Sequence, residues 1–116
     1  MGAKEVIKAS RKEAADTVLY SDVYEHHTDA DVIINTTPVG MFPEIFASAI
    51  DISKFKNLSG VVDAVYNPQR TPLVLAALKR GIKATGGLYM LVAQAVRASE
   101  IFLDKKYPHN VCEDIY

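Results

Sequence analysis

One stretch limits this chain more than any other: Asp31 to Pro43, DVIINTTPVGMFP. Val32 to Ile34 form a β-branched run that stops at Asn35, Thr36 and Thr37, after which Pro38, Gly40 and Pro43 forbid a regular continuation. The pattern fits a buried parallel strand that delivers its C-terminal end to a crevice, with β-branched residues buried on both faces and small hydrogen-bonding side chains at the tip. Ligands in open α/β sheets sit at such tips. A strand followed by a Pro-rich loop also occurs without any ligand, so the reading depends on the rest of the chain.

Taken in order, Glu5 to Ala9 is a short strand candidate around Val6 and Ile7. Ser10 stands three residues before Glu13, a capping box that predicts a short helix through Ala14 and Ala15. Thr17 to Tyr20 reads as a brief strand, and Ser21 or Asp22 can cap a helical turn containing Val23 and Tyr24. Glu44 to Asn57 has no clean period and reads as loop and short helix. Gly60 to Ala64, GVVDA, is a second buried strand with Asp63 near its end, running into Tyr66, Asn67 and Pro68. Thr71-Pro72 marks a helix start, because threonine can cap and proline at the first helical position loses no hydrogen bond. That helix closes at Gly81, and Ile82 to Thr85 follows as a strand into Gly86-Gly87.

The longest predicted helix runs from Leu88 to Asp104. Leu88, Leu91, Val92, Ala95, Ser99 and Phe102 share one face, while Met90, Gln94 and Ile101 share a flank. So wide an apolar surface predicts contact with more than one layer. Strands and helices that alternate in this way predict an α/β fold with a mostly parallel sheet.

Composition narrows the function classes. The 116 residues suit one domain, and 49% hydrophobic with 23% charged residues suits a soluble globular protein. A net charge of -1 gives no general attraction to nucleic acid or to an anionic membrane surface. No run reaches the length of a membrane span, and Cys112 is the single cysteine, so a reducing cytoplasm is the expected setting. His26 and His27 are adjacent and would diverge on a helix, and His109 with Cys112 makes only one metal-type pair, so no metal site is expected.

Three motifs, INTTPVGMFP at 34–43, VVDAVYNPQRTPLVLAA at 61–77 and GGLYMLVAQA at 86–95, resemble in order and spacing the C-terminal nucleotide-binding half of shikimate dehydrogenases. The family reduces 3-dehydroshikimate to shikimate with NADPH, a step of aromatic amino acid biosynthesis. The resemblance implies an incomplete Rossmann-like, three-layer domain over residues 1–106, with 107–116 as a C-terminal tail. It implies that Thr36, Thr37 and Val39 form the loop along the cofactor, that Ala64 passes the nicotinamide, and that Gly87 opens the turn facing the same ring. Tyr66 and Gln94 match residues that reach toward shikimate, although from the bare sequence a packed tyrosine and a solvated amide remain open. Ser10, Arg11 and Lys12 stand where the family often has an Asn-Arg-Thr sequence holding the adenosine 2′-phosphate of NADP.

The sequence departs from the family's pattern at Ser10, Lys12, Ala15 and Tyr89. It also holds no glycine-rich GxGGxx turn to cradle a pyrophosphate, and nothing matching the family's catalytic Lys and Asp. The expectation is therefore a fragment: the first strand and its Gly-rich turn are lacking, no residue here is catalytic, and the chain alone is inactive. Shikimate or 3-dehydroshikimate would bind only with an N-terminal half. A subunit that needs a separate N-terminal chain and a non-catalytic scaffolding remnant are the alternatives. Self-association is expected in each case, because the absent first strand would leave the edge of Val32 to Asn35 open.

Overall fold

The computed structural model describes residues 3–12 and 14–108. Five short strands and three helices follow one another: β1 (Ala9–Ser10), β2 (Val18–Leu19), α1 (Tyr20–His26), β3 (Val32–Asn35), β4 (Gly60–Asp63), α2 (Pro72–Lys79), β5 (Lys83–Thr85) and α3 (Leu88–Leu103). A single 3-10 turn, Ile52–Lys54, lies between β3 and β4. Every strand pair is parallel, in two separate sheets ordered β1-β2 and β3-β4-β5. The arrangement is a Rossmann-like parallel fold that lacks its first strand, the one that would lie between β1 and β3 in the order 3-2-1-4-5-6.

Period-two alternation sorts the sheet into a covered and a bare face. Register pairs Ile33 with Val61 and Asn35 with Asp63, so these four side chains point the same way, toward the packed side. There Val61 joins a core of Val23, Ile52, Phe55, Leu58, Leu73, Ala77 and Ile82. The opposite face carries Val32, Ile34 and Val62, of which Val32 is 51% and Ile34 55% exposed. The expectation of burial on both faces thus fails, because the described residues supply a layer on one side only. The same is true of α3: it buries no residue, and Met90, Leu91, Ile101, Phe102 and Leu103 are exposed along it. Its wide apolar surface does not meet two layers here.

The covered side is closed by the segment from 51 to 58, which sequence periodicity left undefined. Asp51 caps the 3-10 turn by accepting from the Ser53 amide at 3.0 Å and hydroxyl at 2.7 Å, and these bonds, the hydroxyl first, hold its carboxyl below the usual range. Phe55 then inserts fully into the core, its ring tilted against Tyr24 at 6.2 Å. Arg80 at the end of α2 donates to the carbonyls of Ile52 and Phe55 at 2.6 and 2.9 Å, which fastens this irregular segment to a helix.

Local chemistry explains α2 completely. Thr71 Oγ1 accepts from the Val74 amide at 3.3 Å and Pro72 opens the helix. At the other end Ile82 donates to the carbonyl of Ala77 and Gly81 to that of Leu78, the paired bonds of a Schellman ending. Gly81 has φ +75°, the left-handed region that glycine enters at no steric cost.

The N-terminal region differs from the reading of its sequence. The strand expected over Glu5 to Ala9 forms only at Ala9–Ser10, and Val6 remains exposed. No helix follows through Ala14 and Ala15; Ala15 and Asp16 form a turn, and Ala14 bridges Thr17. Ser10 Oγ accepts from the Lys12 amide two residues on, a local bond that competes with capping, and Glu13 lies outside the described residues. The interval from Ser10 to Val18 is also shorter than the dozen residues that a helical crossover needs. Helix α1 begins one residue before the expected cap: Leu19 is its N-cap, and no side chain caps it.

Among the described residues no helix is long and apolar enough to cross a membrane, and no group of three or more His, Cys, Asp or Glu side chains could hold a metal. His109 and Cys112 lie outside the described residues.

The Gly81→Ala substitution tests the end of α2 cleanly, because an added methyl would meet nothing within 4 Å and only the backbone conformation resists it. Denaturant unfolding is expected to show a loss of about 1 kcal/mol with an unchanged slope.

Candidate functional site

The tips of β3 and β4 are joined through a buried polar network. Parallel pairing sets Asn35 beside Asp63, and both are buried, Asn35 at 4% and Asp63 at 0% exposure. The Asn35 side-chain amide donates to Asp63 Oδ1 at 3.0 Å. Two further groups donate to the same carboxylate: the Val65 amide to Oδ1 at 3.0 Å and the Thr71 hydroxyl to Oδ2 at 2.6 Å. A carboxylate taken out of water is costly unless hydrogen bonds replace its hydration, and here three donors do so.

The other end of Asn35 shapes the loop after β3. Its Oδ1 accepts from the Thr37 amide at 3.0 Å and from the Thr37 hydroxyl at 2.7 Å, and Thr37 Oγ1 in turn accepts from the Val39 amide at 3.3 Å. Gly40, with φ +95°, then turns the chain back past Thr71. The loop after β4 is fastened as well. Gly87 donates its amide to the Val65 carbonyl at 2.9 Å, and a methyl on Gly87 would collide with the Ala64 carbonyl. A methyl on Gly86 would lie 2.7 Å from the Gln69 carbonyl.

The structure brings together Thr37, Val39, Ala64 and Gly87, with Thr36 exposed at the rim of the same tip. Tyr66 continues from the β4 tip and is 46% exposed, and Gln94 is exposed on α3. Ser10, Arg11 and Lys12 belong to the other sheet: Ser10 is the second residue of β1, and Arg11 and Lys12 are exposed just beyond it. Asp63 and Thr71 were visible in the sequence as a strand end and a helix cap. Their joint role was not, since it arises from strand register. The signal was an acidic residue closing an apolar strand, eight residues ahead of a capping threonine.

No family model matches the chain. Among curated relatives, the shikimate dehydrogenase (NADP(+)) of Clostridium perfringens is 43% identical over 84 residues, covering 72% of this chain and 31% of the relative. That of Caldicellulosiruptor bescii is 39% identical over 120 aligned positions, covering 90% of this chain and 41% of the relative. Among solved structures, shikimate dehydrogenase 1 from Peptoclostridium difficile superposes with a TM-score of 0.79 at 33% identity, over 93% of this chain and 42% of that one. The resemblance is to shikimate dehydrogenases, and to their C-terminal half. This chain spans about a third to two-fifths of the length of those shikimate dehydrogenases. The part of the shikimate dehydrogenase fold present here includes the β3 and β4 tips, held by the Asn35 and Asp63 pair.

Gly87→Ala is expected to force Val65 and the start of α3 apart, since the obstacle is backbone and cannot swing aside. A stability loss of about 3 kcal/mol, read by thermal or chemical unfolding, is the expected outcome.

Proposed function

We propose that this chain is the nucleotide-binding part of an NADP-dependent shikimate dehydrogenase and that it does not turn over by itself. The observation that carries the reading is the Asn35 and Asp63 lock, which holds a hydrogen-bonded loop at a strand tip in a chain related to shikimate dehydrogenases. In this reading Thr36, Thr37 and Val39 lie along NADP, while Ala64 and Gly87 border its nicotinamide. These two positions carry at most a methyl group, so a flat ring could approach the backbone there. Arg11 and Lys12, with Ser10 beside them, hold the adenosine 2′-phosphate; both basic side chains are exposed. Tyr66 and Gln94 reach toward shikimate or 3-dehydroshikimate when an N-terminal half is present, and both are exposed. NADPH, when bound, supplies the hydride. The chain's own residues bind and orient, since none of them matches the family's catalytic Lys and Asp. A cytoplasmic location goes with this reading, because a single cysteine calls for no oxidising compartment.

Catalysis needs a proton-transfer group and a hydride donor in near-attack geometry. The purified chain is expected to show no NADP-linked oxidation of shikimate. Activity that appears on adding a separate N-terminal half would favour a two-chain enzyme; turnover by these 116 residues alone would overturn the proposal.

Calorimetry with NADP and NAD tests the cofactor reading. Any binding should favour NADP, weaken steeply with salt and drop in Arg11→Ala. Equal affinities that ignore the substitution would remove Arg11 from the site.

A second reading, self-association, is favoured by the open edge of β3 and by the exposed Met90, Gln94 and Ile101 flank of α3. An unpaired apolar edge templates pairing with another chain. Light scattering over a dilution series is expected to show a dimer or larger species that Ile34→Lys weakens; a monomer at every concentration would exclude it.

A further inference from the structure

We propose that Asp63 is a positioning residue for the loop at 36–39, acting through the side-chain amide of Asn35. What the loop holds rests on the function proposed above; how it is held does not. As a carboxylate Asp63 can only accept hydrogen bonds, whereas the Asn35 amide has one donating and one accepting end. Asp63 Oδ1 lies 3.0 Å from Asn35 Nδ2 and the Val39 carbonyl 3.4 Å from it, so the donating end is committed to two acceptors, the nearer of which is the carboxylate. The accepting end must then face Thr37, where it meets both the amide and the hydroxyl of that residue. A flipped amide would put oxygen against carboxylate oxygen on one side and NH2 against the Thr37 N–H on the other.

The polarity is passed along the loop. Because the Thr37 hydroxyl gives its proton to Asn35, its lone pairs remain for the Val39 amide at 3.3 Å. Val39, Thr37 and Asn35 therefore donate in sequence toward a single acceptor-only group beyond the loop. The hydrogen bonds of Asp63 go to Asn35, to Val65 in β4's own turn and to Thr71 at the cap of α2, so it reaches the loop at 36–39 through Asn35. A buried side chain between the two strand tips thus sets the direction of a relay that ends at the exposed loop.

Asp63→Leu removes every acceptor at residue 63, so the Asn35 amide loses its nearer partner and the oxygen it turns toward Thr37 is no longer held in place. Amide hydrogen exchange on the isotope-labelled full chain, with α2 amides as the internal reference, is expected to show Thr37 exchanging about tenfold faster. Asp63→Asn is the control: the Val65 N–H donates to the same oxygen as Asn35, so the new side chain keeps its carbonyl there and turns its NH2 toward the Thr71 hydroxyl. Protection of Thr37 should persist in Asp63→Asn even where global stability falls, which a merely structural role would not produce. Unchanged Thr37 exchange in Asp63→Leu, or an equal loss of protection in Asp63→Asn, would overturn the proposal. Should either variant fail to fold, the unaltered chain decides: the Asn35 side-chain amide protons should exchange far more slowly than those of exposed Gln94, and equal rates would overturn it. Calorimetry with NADP on Asp63→Leu separates the two readings. Lost Thr37 protection with unaltered NADP affinity supports the positioning role and counts against the loop as a cofactor contact; lost protection with weakened affinity supports both.

Discussion

The Asp63 carboxylate is the point on which the joining of β3, β4 and α2 depends. Its position at the end of β4 follows from strand register, and its complete burial follows from the helix packed above it. A buried charge without hydration would oppose folding, so the chain must bring three donors to it at once. Those donors come from the tip of β3, from the turn after β4 and from the first residue of the α2 cap. Satisfying one side chain therefore sets the placement of the distant β3 tip against the turn that leads from β4 into α2. Removing the carboxylate would leave the Val65 amide and the Thr71 hydroxyl without this acceptor and the Asn35 amide with only the Val39 carbonyl at 3.4 Å, at about 1–3 kcal/mol for each bond lost.

Around that point the packing is one-sided. α1, the 3-10 turn and α2 cover one face, and the irregular 51–58 segment earns its place there by inserting Phe55 and accepting two bonds from Arg80. The opposite face keeps Val32 and Ile34 in water, and α3 stands beside the sheet without burying a side chain. The two sheets, β1-β2 and β3-β4-β5, match the strands that flank the first strand of a Rossmann-like domain. Each sheet consequently ends in an unpaired edge where a complete domain would have its centre.

Legibility in the sequence followed the range of the interaction. α2 could be read from Thr71, Pro72 and Gly81 because capping is settled within a few residues. β3, β4 and β5 could be read from β-branched runs bounded by turn residues. The capping box at Ser10 misled because its hydroxyl found a nearer partner in the Lys12 amide, and because the span to Val18 is too short for a helix. Burial on both faces of Val32 to Ile34 misled for another reason: apolarity records which surfaces could be covered, not which layer is present to cover them. The site was half legible. Asn35, Asp63 and Thr71 were each conspicuous locally, but their hydrogen bonds join residues up to 28 positions apart and depend on register. Phe55 carried no periodic signal, since it enters the core from a loop.

The bare flank of α3 also bears on how this molecule comes apart. Unfolding a segment costs roughly what its buried apolar surface and its non-local hydrogen bonds are worth, and α3 has little of the former. The Gly87 amide ties its start to the Val65 carbonyl, whereas Leu73, Val74 and Ala77 of α2 are sunk in the core. The helix can therefore melt while the sheet and α2 remain intact. Native-state hydrogen exchange is expected to show α3, and Gln94 with it, opening ahead of the sheet and α2.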